Sequence, residues 1–335
     1  MTGLGALAAG VAFLVAAGVS LTASGVVVSR LERVAGRIGL EEAALGLLVA
    51  LAADTPEVTS AVAALLQGHA DIGAGVVLGS NVFNLAALLG LAAVVAGAVR
   101  LHRRVAAFDG AAAGWVALVC VVVLATPLGP AAGLGLVAVG VGPYVALSTL
   151  PAPALRALRV PEAAVVWCRR AAEEEASELR AALDPTPYSP RDPAVAVVAV
   201  LLVVAASTVM ERTAQSLGAR WHLSGLVVGG VVLAAVTSLP NAVGAIHLAR
   251  RGRGAAVLSE ALNSNMINVV AGLFVPGVIV GLGHLGDDGA LLAGWYAGLT
   301  ALSVALAWGG GGLRRPAGMA IVAGYLGFVA VVVAR

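Results

Sequence analysis

Two polar segments, each embedded in apolar sequence, copy one another at a fixed spacing of 184 residues. Gly79-Ser80-Asn81-Val82-Phe83-Asn84 matches Asn263-Ser264-Asn265-Met266-Ile267-Asn268. Pro56 and Pro240, Glu57 and Asn241, and the glycine pairs Gly46/Gly230, Gly68/Gly252 and Gly97/Gly281 keep the same offset. A chain that repeats polar residues within hydrocarbon-length helices is building one polar site from two halves, the pattern of transporters with internal repeats.

Composition supports a membrane setting. The chain is 60% hydrophobic and 11% charged, against roughly 25% charged in soluble domains. All 20 basic residues are Arg, which together with abundant Ala, Gly and Val suggests a GC-rich bacterial genome and hence a bacterial inner membrane. The first thirty residues lack a basic n-region, so no cleaved signal peptide is expected. Cys120 and Cys168 are too few and too far apart for a disulfide framework or a metal site. Nothing in the composition suggests a nucleic-acid partner, and the sequence does not give an oligomeric state.

A spanning helix needs about 20 apolar residues. Ten are predicted, at about 4–29, 43–66, 71–98, 109–126, 131–150, 194–216, 223–249, 255–282, 289–308 and 317–334. The long polar connection, 151–193, separates a first five-helix repeat (1–150) from a second (194–335). With this count, 17 of the 20 Arg residues fall on one side, and only Arg212, Arg220 and Arg335 on the other. The positive-inside rule then makes the 151–193 loop cytoplasmic and puts both termini outside. Five helices per half force the halves into opposite orientations. The expected fold is an all-α integral membrane protein with a 5+5 inverted-topology repeat. Leu31-Glu32-Arg33-Val34-Ala35 resembles Met210-Glu211-Arg212-Thr213-Ala214 and extends the repeat to the first helix of each half.

Pro56 and Pro240 fall within predicted spans. Proline there frees a backbone carbonyl, which is tolerated where the freed group lines a cavity or meets an ion. Hard cations want oxygen ligands, six to eight for Ca²⁺. Ser80 and Asn84 share one helix face, as do Ser264 and Asn268.

These motifs resemble those of the Ca²⁺/cation antiporter superfamily, the group of the sodium/calcium exchangers. Its repeats read approximately G-T-S-x-P-E, then some twenty residues, then G-S-N-x-x-N or G-S-N-x-x-D. Here the first copy is Ala52-Ala53-Asp54-Thr55-Pro56-Glu57 with Gly79 to Asn84. The second is Val236-Thr237-Ser238-Leu239-Pro240-Asn241 with Asn263 to Asn268. The resemblance implies that Glu57, Ser80, Asn84, Thr237, Ser238, Asn241, Ser264 and Asn268 converge on a midplane cation site between the second, third, seventh and eighth helices. It also implies that the first and sixth helices rock against that core.

The chain departs from the pattern in an ordered way. Asn241 replaces the second Glu, and Asn268 an Asp. Ala53-Asp54 replaces the hydroxyl pair of the first repeat. Asp54 and Glu260 add carboxylates, Glu260 standing where the first repeat has Val76. Carboxylate is therefore expected to have moved rather than vanished, since each ionised acid at a helix centre costs about 2.5–3.5 kcal/mol on insertion scales. The metal-site candidates are thus Asp54, Glu57, Ser80, Asn84, Thr237, Ser238, Asn241, Glu260, Ser264 and Asn268.

The expected function is secondary antiport of a cation, Ca²⁺ or another divalent ion, against Na⁺ or H⁺, with no cofactor. The alternatives are a cation/proton exchanger for Mg²⁺, Mn²⁺ or a monovalent ion, or a passive cation channel. An intramembrane enzyme is disfavoured, because no Ser/His pair or zinc-type His-Glu spacing is present.

Overall fold

The computed structural model describes residues 3–38, 51–150, 154–155, 161–180, 187–283 and 285–335. Its helices are α1 (Gly3–Ile38), α2 (Thr55–Leu66, entered from a helical turn at 51–53), α3 (Ala70–Ala96), α4 (Arg103–Ala125), α5 (Pro130–Thr149), α6 (Glu162–Arg180), α7 (Asp192–Arg220), α8 (Gly225–Thr237 and Leu239–Arg250), α9 (Gly254–Val280), α10 (Gly286–Gly310) and α11 (Arg315–Val333). Among the described residues eight helices are long and apolar enough to span a membrane, or nine if the two pieces of α8, bent by 46°, count as one. The second predicted span lies partly in 39–50, outside the described residues.

The expected pseudosymmetry is visible in backbone angles. The second predicted span breaks at Asp54 (φ −81°, ψ 0°) and α8 breaks at Ser238 (φ −88°, ψ −3°), 184 residues later. Pro sits at the second position of each new helix, where its missing N–H costs nothing. Both α3 and α9 widen into π-helical turns, at Leu85–Leu91 and Asn268–Phe274, features that cluster at functional sites. The turns Gly68 and Gly252 have φ of 83° and 75°, and Gly97 and Gly281 have 88° and 83°. A Cβ disfavours this region by about 1–2 kcal/mol. Gly68→Ala is therefore expected to destabilise the fold by about 1 kcal/mol, with Gly252→Ala similar; thermal unfolding of each variant tests this, and unchanged midpoints would contradict it.

Burial ranks the spans. Of its best spanning window, 89% is inside the protein for α3 but 11% for α5. Gly75 and Gly79 of α3 cross Gly229 and Gly230 of α8 at backbone distance: a Cβ on Gly79 would lie 2.2 Å from the Gly230 carbonyl oxygen. This is the small-xxx-small packing that brings membrane helices together where lipid offers no hydrophobic drive. Outside this core, α1 packs along α7, and α7 also packs on α2.

Several expected boundaries shift. α1 runs to Ile38 rather than 29, and α7 covers 192–220 rather than 194–216. α4 starts at Arg103, not 109, which places Asp109 inside the helix. Arg103 and Arg104 begin the helix in the polar interface, where an apolar-window reading stops too late. The fold is also not wholly helical. Ala98–Arg100 (β1) and Gly312–Arg314 (β2) form an antiparallel ribbon with Val99 opposite Leu313.

Candidate cation site

The two helix breaks face the two serine-asparagine motifs at the centre of the helices. Asp54, Glu57, Ser80, Asn84, Thr237, Ser238, Asn241, Ser264 and Asn268 are all buried, at 3% exposure or less. The Asn241 amide nitrogen donates to Asp54 Oδ1 at 3.0 Å and to Glu57 Oε1 at 3.4 Å. The Ser264 hydroxyl donates to the same Asp54 oxygen, and the Asn268 amide donates to Glu57 Oε2. The Asn84 amide donates to Ser264 Oγ at 3.2 Å. Residues from α2, α3, α8 and α9 are thus joined in one network, as the repeat implies.

Asn241 explains one departure from symmetry. At the position matching Glu57, a second carboxylate would stand against two others. An amide there supplies N–H donors to both acids and holds them near each other without adding repulsion. In this arrangement Asn241 meets the carboxylates through its nitrogen, not its oxygen.

The network leaves oxygens over. Asp54 Oδ2, Ser80 Oγ, Asn84 Oδ1, Glu260 Oε2 and Asn268 Oδ1 are buried without a hydrogen-bond partner among the described residues, and Ser238 lies beside Glu57. Buried polar atoms are normally paired, because an unpaired one costs about 1–3 kcal/mol. Asn84 and Asn268 spend their nitrogens on neighbours, which leaves the amide oxygens available. A surplus of uncharged oxygens around two carboxylates is a donor set suited to a hard cation.

The expected residues are not all equivalent. The Thr237 hydroxyl donates back to Leu233 and Ala234 carbonyls at 3.0 and 3.2 Å rather than to either acid. Glu260 is partly exposed and makes no hydrogen bond to the network among the described residues. It faces Gly244, whose added Cβ would lie 3.7 Å from Glu260 Oε1, one helical turn beyond Asn241. Among the described residues no three His, Cys, Asp or Glu side chains converge as a metal cluster, so the three acids do not form one tight set.

Other polar residues here were not anticipated from sequence. Asn81 and Asn265 clasp each other's backbone, Asn81 Nδ2 to Asn265 O at 3.1 Å and Asn265 Nδ2 to Asn81 O at 3.0 Å. Their place in both motif copies was the available signal. Asp109 on α4, fully buried, accepts from the Ser259 hydroxyl on α9 and from Tyr144 on α5 at 3.3 Å. It has no counterpart in the repeat, so no pattern marked it. Glu211 on α7 is held by Gln67 at 2.6 Å and His69 at 2.9 Å. The Glu32/Glu211 match marked that position but not its partners.

The family model described as sodium/calcium exchanger protein matches residues 8–146 and 192–334, so both halves of the chain are covered. No curated protein matches the chain. Among solved structures, the H⁺/Ca²⁺ exchanger CAX superposes with TM-score 0.67 at 12% identity, covering 97% of this chain and 85% of that one. Native YfkE gives TM-score 0.63 at 17% identity, with 96% and 92% covered. The sodium-calcium exchanger NCX_Mj, soaked with 100 mM Na⁺ and 10 mM Sr²⁺, gives 0.60 at 18% identity, with 97% and 98% covered. At these identities the structural likenesses establish the fold. The match to both repeats establishes more: the chain belongs to the sodium/calcium exchanger protein family, a family of membrane transporters rather than enzymes.

Proposed function

We propose that the chain is a secondary antiporter that exchanges a divalent cation, Ca²⁺ foremost, for Na⁺ or H⁺ by alternating access. The observation that carries this reading is the buried network around Asp54 and Glu57, with unpartnered oxygens at Asp54, Ser80, Asn84 and Asn268. Two carboxylates balance one divalent ion, and amide and hydroxyl oxygens complete its shell. The counter-ion would compete for the same carboxylates, which couples the two fluxes. Likeness to structures described as H⁺/Ca²⁺ and sodium-calcium exchangers supports both counter-ions. Only Thr237-Ser238 retains the hydroxyl pair, so H⁺ is the favoured partner.

In this reading the ten helices form an inverted repeat, 1–150 and 194–335, around a cytoplasmic 151–193 loop, with both termini outside a bacterial inner membrane. α1 and α7 form the moving pair. The ligands are Asp54, Glu57, Ser80, Asn84, Ser238, Ser264 and Asn268, with Asn241 as the bridging donor. Thr237 would join only after its hydroxyl turns from the helix backbone. Glu260, one turn from Asn241, would receive ions on their way to or from the site.

Proteoliposome flux tests the assignment. Ca²⁺, Mg²⁺ or Mn²⁺ is loaded inside, and Na⁺ and pH gradients are imposed separately. Cation flux should follow one of the gradients. Flux that ignores both would mark a channel, and no flux for any cation would sink the antiport reading. Glu260→Gln is expected to abolish exchange in this assay. Unchanged transport at saturating cation would remove Glu260 from the mechanism.

A further inference from the structure

A cavity of about 630 Å³ opens beside the β1–β2 ribbon, where three Arg-bearing connections meet. Its wall includes Arg100, His102 and Arg314, with Gly252 and Gly310 to Gly312, and contains no acidic side chain. The ribbon sets the two arginines. Val99 and Leu313 form its buried directly opposed pair, so Arg100 and Arg314, one residue further along each strand, share the outward face. They occupy diagonal positions, roughly 7–8 Å apart between backbones. Two guanidinium charges at this diagonal spacing repel weakly, and neither arginine makes an ion pair among the described residues. Arg315 is otherwise engaged, donating to the Val94 carbonyl at 3.2 Å.

The backbone adds to the positive field. α4, α9 and α11 all begin at the rim, at Arg103, Gly254 and Arg315. Their N-cap residues are His102, Arg253 and Arg314, and none caps its helix through its side chain. Ser, Thr, Asp or Asn would be the usual choice. The positive-inside rule accounts for arginines on this face, but not for two of them held on one side of a ribbon in the wall of an acid-free cavity.

We propose that this cavity binds a phosphate-bearing anion, supplied by an anionic lipid headgroup or free as inorganic phosphate. The anion would sit between Arg100 and Arg314 and relieve their repulsion. It would tie the β1 connection after α3 to the β2 connection before α11. The proposal is independent of the transported ion.

The test uses the detergent-purified full chain and native mass spectrometry, with phosphatidylglycerol, phosphatidylcholine and inorganic phosphate titrated separately. Arg100→Gln/Arg314→Gln is expected to weaken phosphate-group binding by about thirtyfold, at about 1 kcal/mol for each basic residue near an anionic surface. Arg37→Gln, at the end of α1, should bind as wild type. Preference for phosphatidylglycerol with no competition from inorganic phosphate supports the lipid source; competition supports the free anion. The single Arg314→Gln variant, expected to lose part of the binding, serves if the pair fails to fold. Three results overturn the proposal: binding of phosphatidylglycerol no stronger than of phosphatidylcholine with no phosphate binding, binding unchanged in the Gln variants, or equal loss in Arg37→Gln.

Discussion

Replacing Glu57 with Gln is expected to lower cation affinity by two to three orders of magnitude, about 3–4 kcal/mol, within the scale of removing one partner from a buried charge pair. The substitution keeps the side-chain volume, removes the charge and turns one acceptor oxygen into an N–H donor. Glu57 accepts from Asn241 and Asn268, and both contacts are N–H donors aimed at a carboxylate. With Gln, one of them must face an amide nitrogen, so the network also loses a hydrogen bond. Asp54→Asn should show the same signature, because Asp54 accepts from Asn241 and Ser264 on the far side of the same amide. Isothermal titration with Ca²⁺ and Mn²⁺ on folded protein would read the change directly. A variant that binds within threefold of wild type would mean that Glu57 is a structural acid, satisfied by its amide donors alone.

The second large effect concerns the frame rather than the ligands. Gly79→Ala is expected to cost about 3 kcal/mol, the upper part of the range for overpacking a tight interior. An added Cβ would meet the Gly230 carbonyl oxygen at 2.2 Å and its carbonyl carbon at 2.6 Å. Backbone cannot rotate away as a side chain can, so α3 and α8 must separate. Gly229→Ala should act alike, since its Cβ would lie 2.3 Å from the Ile72 carbonyl oxygen. Gly114, with open space around it, is the control, where Ala should be tolerated. Size-exclusion profiles and thermal unfolding of the three variants would check this. Wild-type behaviour in Gly79→Ala would mean that the α3–α8 crossing is looser than it stands here. Separation at this crossing moves Ser80 away from Ser238, so cation binding should weaken in whatever folded Gly79→Ala protein remains.

Much of this arrangement was legible in the sequence because inverted pseudosymmetry writes the same local problem twice. Pro56 and Pro240 marked both helix breaks, whereas Gly97 and Gly281, read only as matched positions inside predicted spans, end their helices at positive φ. Apolar length located the eight spans, and the bent α8, that the described residues contain, while their ends stayed inexact. Charged residues that an apolar window excludes start helices, as at Arg103 and at Asp192, which Arg30 pairs. The carboxylate inventory was also legible, but not its geometry. Glu260 shares a helix face with Ser264, yet its carboxylate lies beside Gly244, one turn along α8 from the Asn241 that bridges Asp54 and Glu57.

The sequence by itself determined that two halves carry matching polar residues for one buried centre, and where the helices must break. Those properties are local, because composition, proline and glycine act through their own backbone. Only the tertiary structure decided which atom of each residue faces which. Asn241 turns its nitrogen toward Asp54 and Glu57, Asn81 and Asn265 clasp backbones, and Asp109 finds Ser259 across two helices. An amide presents either a donor or an acceptor according to its neighbours. Those neighbours come from helices whose rotation and crossing are set by close glycine contacts far apart in the chain.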